Sequence, residues 1–209
     1  MINKSFIKVK SSFGQEIENL YFTHSSKANS IVILFPGSDY SCDRPILHYA
    51  RKVALLSGCD VLSLEYGSFN SSKETLDDFL DRIIKESYEA VQSCLANTYE
   101  NIYFISKSLG TIVAGEISEL IGYKKANNLF LTPIKDTEKY IMKSSCSIVV
   151  GTNDKFFSRK DVDDIENPNV DIHIIEGAVH SLEVDDYIKS IQILNDVTKI
   201  CADFVKHDR

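Results

Sequence analysis

The sequence predicts an α/β fold in which a mostly parallel sheet of about eight strands lies between two layers of helices. Short apolar runs alternate with longer segments of helical periodicity, which is typical of strand–helix–strand units with right-handed crossovers. The apolar runs are nearly continuous, as residues 31–35 illustrate, and such runs are typical of strands covered on both faces. Two runs near the start flank Gly14 and indicate an antiparallel hairpin.

The predicted strands are short segments rich in β-branched and aromatic residues. Proline and glycine mark the ends of several of them: Pro36 and Gly37 follow one strand, and Pro133 closes another. In chain order, the predicted strands are residues 6–10, 17–23, 31–35, 60–66, 101–106, 128–131, 146–150 and 170–176.

The predicted helices have apolar residues at three- and four-residue spacing, most clearly over residues 74–96. Gly122 ends the helix over residues 109–121. The N-cap of the first helix is either Asp43 or Arg44, and Asp43 is chemically favoured because its carboxylate accepts backbone N–H groups. In chain order, the predicted helices are residues 45–57, 74–96, 109–121, 136–142 and 183–205.

Composition narrows the classes of function. The 209 residues, 44% of them hydrophobic, fit a single globular domain over residues 1–209. A net charge of −7 and a pI near 5.3 argue against nucleic-acid or anionic membrane partners. No apolar run has the roughly 18 residues of a membrane-spanning helix, and the N-terminal sequence does not resemble a signal peptide. We therefore expect a cytoplasmic protein.

The five cysteines are scattered, without a CxxC pair or a histidine at ligand spacing, and are expected to be reduced thiols. The sequence also lacks the GxxxxGK[ST], GxGxxG and HExxH patterns. It therefore predicts neither a metal site nor a cofactor.

In mostly parallel sheets, ligands bind beyond the carboxyl ends of the strands, so chemistry is expected in the loops that follow strands. Ser108 meets this condition: Ser106-Lys107-Ser108-Leu109-Gly110 lies between a predicted strand and a predicted helix. The usual nucleophile pattern is G-x-S-x-G, and here serine replaces its first glycine. The helix N-terminus after the turn offers N–H groups to a developing oxyanion. The alternative is that Ser108 only caps this helix.

Two further side chains fall in such loops. Asp154 follows the strand over residues 146–150, although Gly151-Thr152-Asn153-Asp154 is also an ordinary turn sequence. His180 follows the strand over residues 170–176 and is the only histidine in a loop of this kind, although an exposed loop histidine is the plainer reading. Asp161, Asp163 and Asp164 are rival acids, but they lie in a charged stretch that indicates a solvated helix face.

The order Ser108, Asp154, His180 is the triad order of α/β-hydrolases. Over nearly its whole length the sequence resembles that superfamily, with SKSLGT as the nucleophile elbow, GTND as the acid loop and GAVHSLE as the histidine loop. The segment LFPGSDYSCDRP is similar to its oxyanion loop. The resemblance implies oxyanion donors at the backbone N–H groups of Leu109 and of Ser38 or its neighbour Asp39.

Only residues 134–144 separate two predicted strands at the place where many relatives insert a cap domain. The chain therefore resembles the capless dienelactone-hydrolase-like and small carboxylesterase or thioesterase branches, and its cleft is expected to be open. Candidate substrate-pocket residues are Asp39, Tyr40, Tyr66 and Phe156, although its aromatic members are equally explained as core or rim packing.

The sequence thus predicts a serine hydrolase that cleaves a carboxylic ester or thioester of a small molecule through an acyl-enzyme. Two alternatives stay open. One is a peptidase with the same triad, because the fold does not set the substrate. The other is a non-catalytic binding protein that retains the fold. The oligomeric state is not predicted.

Overall fold

The computed structural model describes residues 1–206, and its eight strands form one sheet in the order β1-β2-β4-β3-β5-β6-β7-β8. The strands β1 and β2 form an antiparallel hairpin, β2 pairs antiparallel with β4, and all other pairs are parallel. The predicted fold class is confirmed. The strands are β1 (Ile2–Lys10), β2 (Glu16–His24), β3 (Ser30–Phe35), β4 (Asp60–Ser63), β5 (Asn101–Lys107), β6 (Asn127–Leu131), β7 (Cys146–Gly151) and β8 (Val170–Ile175).

Helices cover both faces of the sheet, as predicted. Helices α1 and α6 pack together on one face, whereas α2 and α3 pack on the other. The helices are α1 (Pro45–Leu56), α2 (Leu76–Leu95), α3 (Leu109–Ile121), α4 (Glu138–Ile141), α5 (Arg159–Asp163) and α6 (Tyr187–Phe204).

The central strand β3 explains the continuous apolar pattern of the sequence. Ile31, Ile33 and Phe35 pack in the cluster under α2 and α3, whereas Val32 and Leu34 pack under α1 and α6. All five side chains are fully buried. A strand with helices on both faces has no side that tolerates polar residues, so its sequence does not alternate.

Several predicted boundaries were wrong: β1 begins at Ile2 rather than at residue 6, and α2 begins at Leu76 rather than at residue 74. β4 ends at Ser63, so Tyr66 lies in the following loop. Of the two N-cap candidates of α1, the structure has Arg44, whose side chain forms no capping hydrogen bond. The favoured Asp43 instead pairs with Arg51 at 2.6 Å.

The predicted start of the last helix at residue 183 was also wrong, since α6 begins at Tyr187. Asp186 sets this start: its side chain accepts the backbone N–H groups of Ile188 and Lys189. Residues 183–185 are thereby left to the loop that carries His180.

No cap domain covers the sheet within the described residues. Only a 3₁₀ turn (Lys135–Thr137) and the four-residue α4 lie between β6 and β7. No helix formed by residues 1–206 is both long and apolar enough to cross a membrane.

A buried ionic cluster ties α2 to the hairpin and to the loop after β4. The Arg82 guanidinium donates to Glu74 at 2.9 and 3.0 Å and to Glu86 at 3.2 Å. Glu86 also accepts the hydroxyl of Ser11 at 2.7 Å. Each of these four residues except Glu74 is less than 9% exposed, and the Glu74 side chain is 3% exposed. The helical pattern of α2 did not predict these buried charges.

Candidate active site

Ser108 lies on a sharp turn between β5 and α3, with φ 51° and ψ −121°. A non-glycine residue at positive φ is held against its own preference, at a cost of about 1–3 kcal/mol. The Ser108 N–H donates to the carbonyl of Leu131 at 3.1 Å, which anchors the turn to β6. Its side chain does not form a helix-capping hydrogen bond in the described structure, so the N-cap alternative has no support in the geometry.

The small residues of the motif are explained by close packing. A β-carbon on Gly110 would lie 2.3 Å from the carbonyl oxygen of Pro36 and 2.6 Å from that of Phe35. Only glycine therefore lets α3 approach the end of β3. Ser106, in the place of the usual first glycine, is fully buried, and its hydroxyl donates to the carbonyl of Leu129 at 3.4 Å. A serine is thus accommodated there.

Asp154 follows β7 in a tight turn, where its N–H donates to the carbonyl of Gly151 at 3.1 Å. The Asp154 side chain is fully buried. Its Oδ1 accepts the backbone N–H of Phe156 at 2.8 Å, which leaves Oδ2 for a second partner.

His180 joins Asp154 to Ser108. Its Nδ1 lies 2.8 Å from Oδ2 of Asp154, and its Nε2 lies 2.8 Å from Oγ of Ser108. The imidazole is only partly buried, with 23% of its side chain exposed. The structure therefore brings together all three residues that the sequence singled out. The rival acid Asp161 instead caps α5 and pairs with Lys135.

The loops that carry Asp154 and His180 pack directly on each other. The N–H of Asn153 donates to the carbonyl of Ala178 at 2.9 Å, and its side-chain amide donates to the carbonyl of Gly177 at 3.0 Å. These bonds fix the acid relative to the histidine without using either side chain.

The segments that carry the expected oxyanion donors lie beside Ser108. Leu109 is the first residue of α3, so its N–H has no acceptor within the helix. Gly37 of the facing loop is close to the nucleophile, since a β-carbon on it would lie 3.4 Å from Cβ of Ser108. The Gly37 N–H donates to the carbonyl of Tyr40. The N–H groups of Ser38 and Asp39 form no backbone hydrogen bond within the described residues, so both stay candidates.

Three of the four candidate pocket residues lie together. Asp39, Tyr40 and Tyr66 line a cavity of about 220 Å³ beside Gly37 and Ser38. The buried Tyr66 hydroxyl has no hydrogen-bond partner among the described residues.

Phe156 lies apart from this cavity. It is 61% exposed, and its ring centroid is 4.7 Å from that of His180. Phe156 therefore contacts the imidazole, with the two rings tilted by 55°, rather than lining the cavity.

A larger cleft of about 410 Å³ adjoins the histidine loop on the side of α1 and α6. Tyr40 contributes to both cavities, and its hydroxyl accepts the N–H of Ile46 at 3.0 Å. The apolar part of the cleft is formed mainly by Ile46, Leu182, Ile191 and Leu194.

The sequence reasoning overlooked Lys107, which directly precedes the nucleophile. The side chain is buried, and its ammonium donates to Oγ1 of Thr132 at 2.7 Å and to the carbonyl of His180 at 2.9 Å. Burial lowers the pKa of Lys107 from 10.5 to about 8. The available signal was a charged residue at the end of an otherwise apolar strand.

The fold and the position of this site define the class: the chain has the α/β-hydrolase fold, with a Ser–His–Asp arrangement at the carboxyl ends of its strands. No protein-family model matches the sequence, and the comparison with curated proteins gives no match. The solved structures carry the likeness instead.

A serine hydrolase homologue from Coxiella burnetii is 13% identical, with a TM-score of 0.70 and coverage of 95% of this chain and 96% of the other. An esterase from Pyrococcus furiosus is 15% identical, with a TM-score of 0.72 and coverage of 98% and 92%. A serine hydrolase without a lid from Xanthomonas campestris is 12% identical, with a TM-score of 0.68 and coverage of 98% and 94%. At these identities the likeness concerns the fold.

Proposed function

We propose that this protein is a serine hydrolase that cleaves a carboxylic ester or thioester of a small molecule through an acyl-enzyme. The observation that carries the proposal is the unbroken chain of hydrogen bonds from Ser108 through His180 to the buried Asp154, each 2.8 Å long. A hydroxyl, an imidazole and a carboxylate in this order form the machinery of nucleophilic acyl transfer.

In the acylation step, Oγ of Ser108 attacks the carbonyl carbon while Nε2 of His180 takes the hydroxyl proton. Asp154 holds the imidazole by Nδ1 and stabilises the imidazolium that forms. The carbonyl oxygen becomes an oxyanion, which accepts hydrogen bonds from the N–H groups of Leu109 and of Ser38 or Asp39. When the tetrahedral intermediate collapses, the bond to the leaving group breaks and His180 returns the proton to that alcohol or thiol.

In the deacylation step, water attacks the acyl-Ser108 ester and gives a proton to His180. The second intermediate breaks the bond to Oγ, and the proton goes back to Ser108, so that the enzyme is regenerated without a cofactor.

The open site supports a small-molecule acyl substrate rather than nucleic acid or a membrane, since the net charge is −7. The apolar cleft beside the histidine loop is large enough for a short acyl or alkyl group, so we assign that part of the substrate to it. The five cysteines are buried as thiols rather than joined in disulfides, which supports a cytoplasmic location.

A peptidase with the same triad is the alternative within acyl transfer, and a non-catalytic binding protein is the alternative outside it. A strained serine aimed at a hydrogen-bonded histidine favours catalysis, because a binding protein has no need of that strain. Hydrolysis of p-nitrophenyl esters, acyl thioesters and peptide p-nitroanilides, compared side by side, separates the two enzymatic readings.

The test is covalent labelling with a fluorophosphonate probe, read by intact mass and peptide mapping. We expect the wild type to gain one adduct at Ser108, and Ser108→Ala to gain none. Ser106→Ala is the matched control, because Ser106 lies in the same motif with its hydroxyl turned to β6. Equal labelling of Ser108→Ala and the wild type, or no labelling of the wild type, would overturn the proposal. A series of acyl-chain lengths then measures the depth of the cleft.

A further inference from the structure

Lys107 connects three loops that surround the nucleophile. It is the last residue of β5, next to Ser108, and only 2% of it is exposed. Its ammonium donates to Thr132, which follows β6, and to the carbonyl of His180, which follows β8. The ring of Tyr40, in the loop after β3, lies 5.1 Å from the ammonium, within cation–π range.

The ammonium is buried without an ion-pair partner. No carboxylate lies within salt-bridge distance of Lys107 among the described residues. Asp154 and Glu183 favour its positive charge from farther away, and neither outweighs the effect of burial. A buried and unpaired cation is costly, so its position directly behind a nucleophile calls for a function.

The backbone conformation of Thr132 also bears on the environment of the Lys107 ammonium. Its backbone lies in the left-handed region, with φ 43°, which is unusual for a β-branched residue. The N–H of Thr132 donates to the carbonyl of Val149 at 2.8 Å, which secures this conformation to β7. The hydroxyl is thereby fixed as an acceptor for Lys107.

We propose that Lys107 is a positioning residue that, as an ammonium, holds the histidine loop in register with Ser108 and makes the reaction depend on its own protonation. This inference rests on the proposed function. The carbonyl that Lys107 holds belongs to His180 itself, so a shift of that carbonyl moves the imidazole relative to Ser108. Small displacements of this kind are expensive in catalysis.

The protonation of Lys107 changes the strength of the connection. A hydrogen bond from an ammonium is about twice as strong as one from a neutral amine, so loss of the proton loosens the histidine loop. Burial lowers the pKa of Lys107 to about 8, hence the charged form predominates below about pH 8 and the neutral form above it.

The other groups near Lys107 are Tyr40, Thr132, Asp154 and Glu183. The phenol of Tyr40 has its pKa raised by burial, so it stays neutral through this range. Asp154 and Glu183 are carboxylates, and Thr132 does not titrate. Loss of activity on the alkaline side is therefore assigned to Lys107.

The first test compares second-order rates of fluorophosphonate labelling at about pH 7 for the wild type and Lys107→Met, which keeps the length of the side chain without its charge. We expect a fall of about 10- to 100-fold, with the melting temperature within about 5 °C of the wild type. Lys155→Met is the matched control, because exposed Lys155 follows Asp154 and forms no hydrogen bond or ion pair within residues 1–206. Its labelling rate should match the wild type.

The second test measures the labelling rate from about pH 6 to about pH 10. The wild type should lose activity with a midpoint near pH 8. Lys107→Arg keeps a positive charge across the whole range, so its alkaline loss should disappear. Thr132→Val keeps the lysine and removes one acceptor, so it should label more slowly than the wild type.

The outcomes are distinct. A wild type that labels fully up to about pH 10, or a Lys107→Met variant that labels at the wild-type rate, overturns the positioning role and leaves the hydrolase proposal intact. If Lys107→Met does not fold, Lys107→Arg decides. In that case, a Lys107→Arg variant that loses labelling at high pH as the wild type does overturns the positioning role. A wild type without labelling at any pH overturns both proposals.

Discussion

Gly151 lies against Ala178 so closely that a β-carbon on it would be 2.2 Å from the Ala178 carbonyl oxygen. Gly151 ends the strand that leads to Asp154, and Ala178 lies two residues before His180. The missing side chain therefore sets how close the acid comes to the base. The contact is between backbones, but it helps to set the distance between the side chains of Asp154 and His180.

Gly151→Ala should separate these loops, because neither backbone can yield cheaply. We expect a loss of about 1–3 kcal/mol in the free energy of unfolding and a labelling rate at least about 10-fold lower. Gly58→Ala is the comparison, since its β-carbon has open space and only its φ of 83° is unfavourable. That variant should lose stability and keep its labelling rate; equal loss of activity in both would argue against a specific role for Gly151.

Asp154→Asn should lower kcat by about 10²- to 10⁴-fold, because an amide neither stabilises the imidazolium nor enforces the required tautomer. Steady-state hydrolysis of an activated ester measures the effect. Asp161→Asn serves as the control: this carboxylate caps α5 and pairs with Lys135, away from the histidine. If both variants retain wild-type turnover, Asp154 is not the acid.

Phe156→Ala tests the contact between the Phe156 ring and the His180 imidazole. The contact of Phe156 with His180 corresponds to about 0.5–1.5 kcal/mol, so kcat/KM should fall about 2- to 10-fold. Because Phe156 is 61% exposed, folding should be little affected. Leu120→Ala, at 56% exposure near the end of α3, removes a similarly exposed apolar side chain and should leave kcat/KM unchanged. Identical rates for the two variants would contradict the prediction.

The burial of Lys107 also predicts a pH dependence of stability. In the folded protein this lysine loses its proton near pH 8, whereas in the unfolded chain it keeps it to about 10.5. Between these values the unfolded state binds more protons, so the free energy of unfolding rises with pH. The full difference corresponds to roughly 3 kcal/mol. Denaturant titrations at several pH values should show this rise in the wild type and not in Lys107→Met. If the free energy of unfolding changes with pH equally in both proteins, Lys107 is not the cause of the rise.

Arg82→Met should be strongly destabilising, by about 3–5 kcal/mol, because it leaves buried carboxylates without their cation. The measurement is the denaturant midpoint near neutral pH. Arg159→Met removes an exposed arginine that pairs with Asp163, and should cost less than about 1 kcal/mol. Comparable losses of stability in the two variants would show that burial does not make the Arg82 ion pairs more costly to break than an exposed pair.

Much of the fold followed from the sequence because strand and helix periodicity are local properties. The alternation of apolar runs predicted the sheet, its parallel centre and the hairpin. Ser108, Asp154 and His180 could be named because parallel strands bring their following loops to one edge. Their distances could not, since these depend on contacts such as that between Gly151 and Ala178.

The sequence failed where the fold, rather than the local pattern, sets the partner of a side chain. Asp43 was the favoured helix cap, yet Arg51, eight residues further on, binds its carboxylate. The helical spacing over residues 74–96 gave no indication that Arg82 is buried with Glu74 and Glu86. Lys107 looked like a variable position in a motif, because its acceptors are 25 and 73 residues away.

The strand order also determines when the candidate site can form. Ser108 and His180 are 72 residues apart, and β6, β7 and β8 join the sheet one beside another between them. During synthesis Ser108 emerges before His180, so under the proposed function a nascent chain carries the serine without its base. Parallel pairing over such separations is slow. If Ser108 is the proposed nucleophile, its reactivity therefore shows, in refolding as in synthesis, that β8 has joined the sheet.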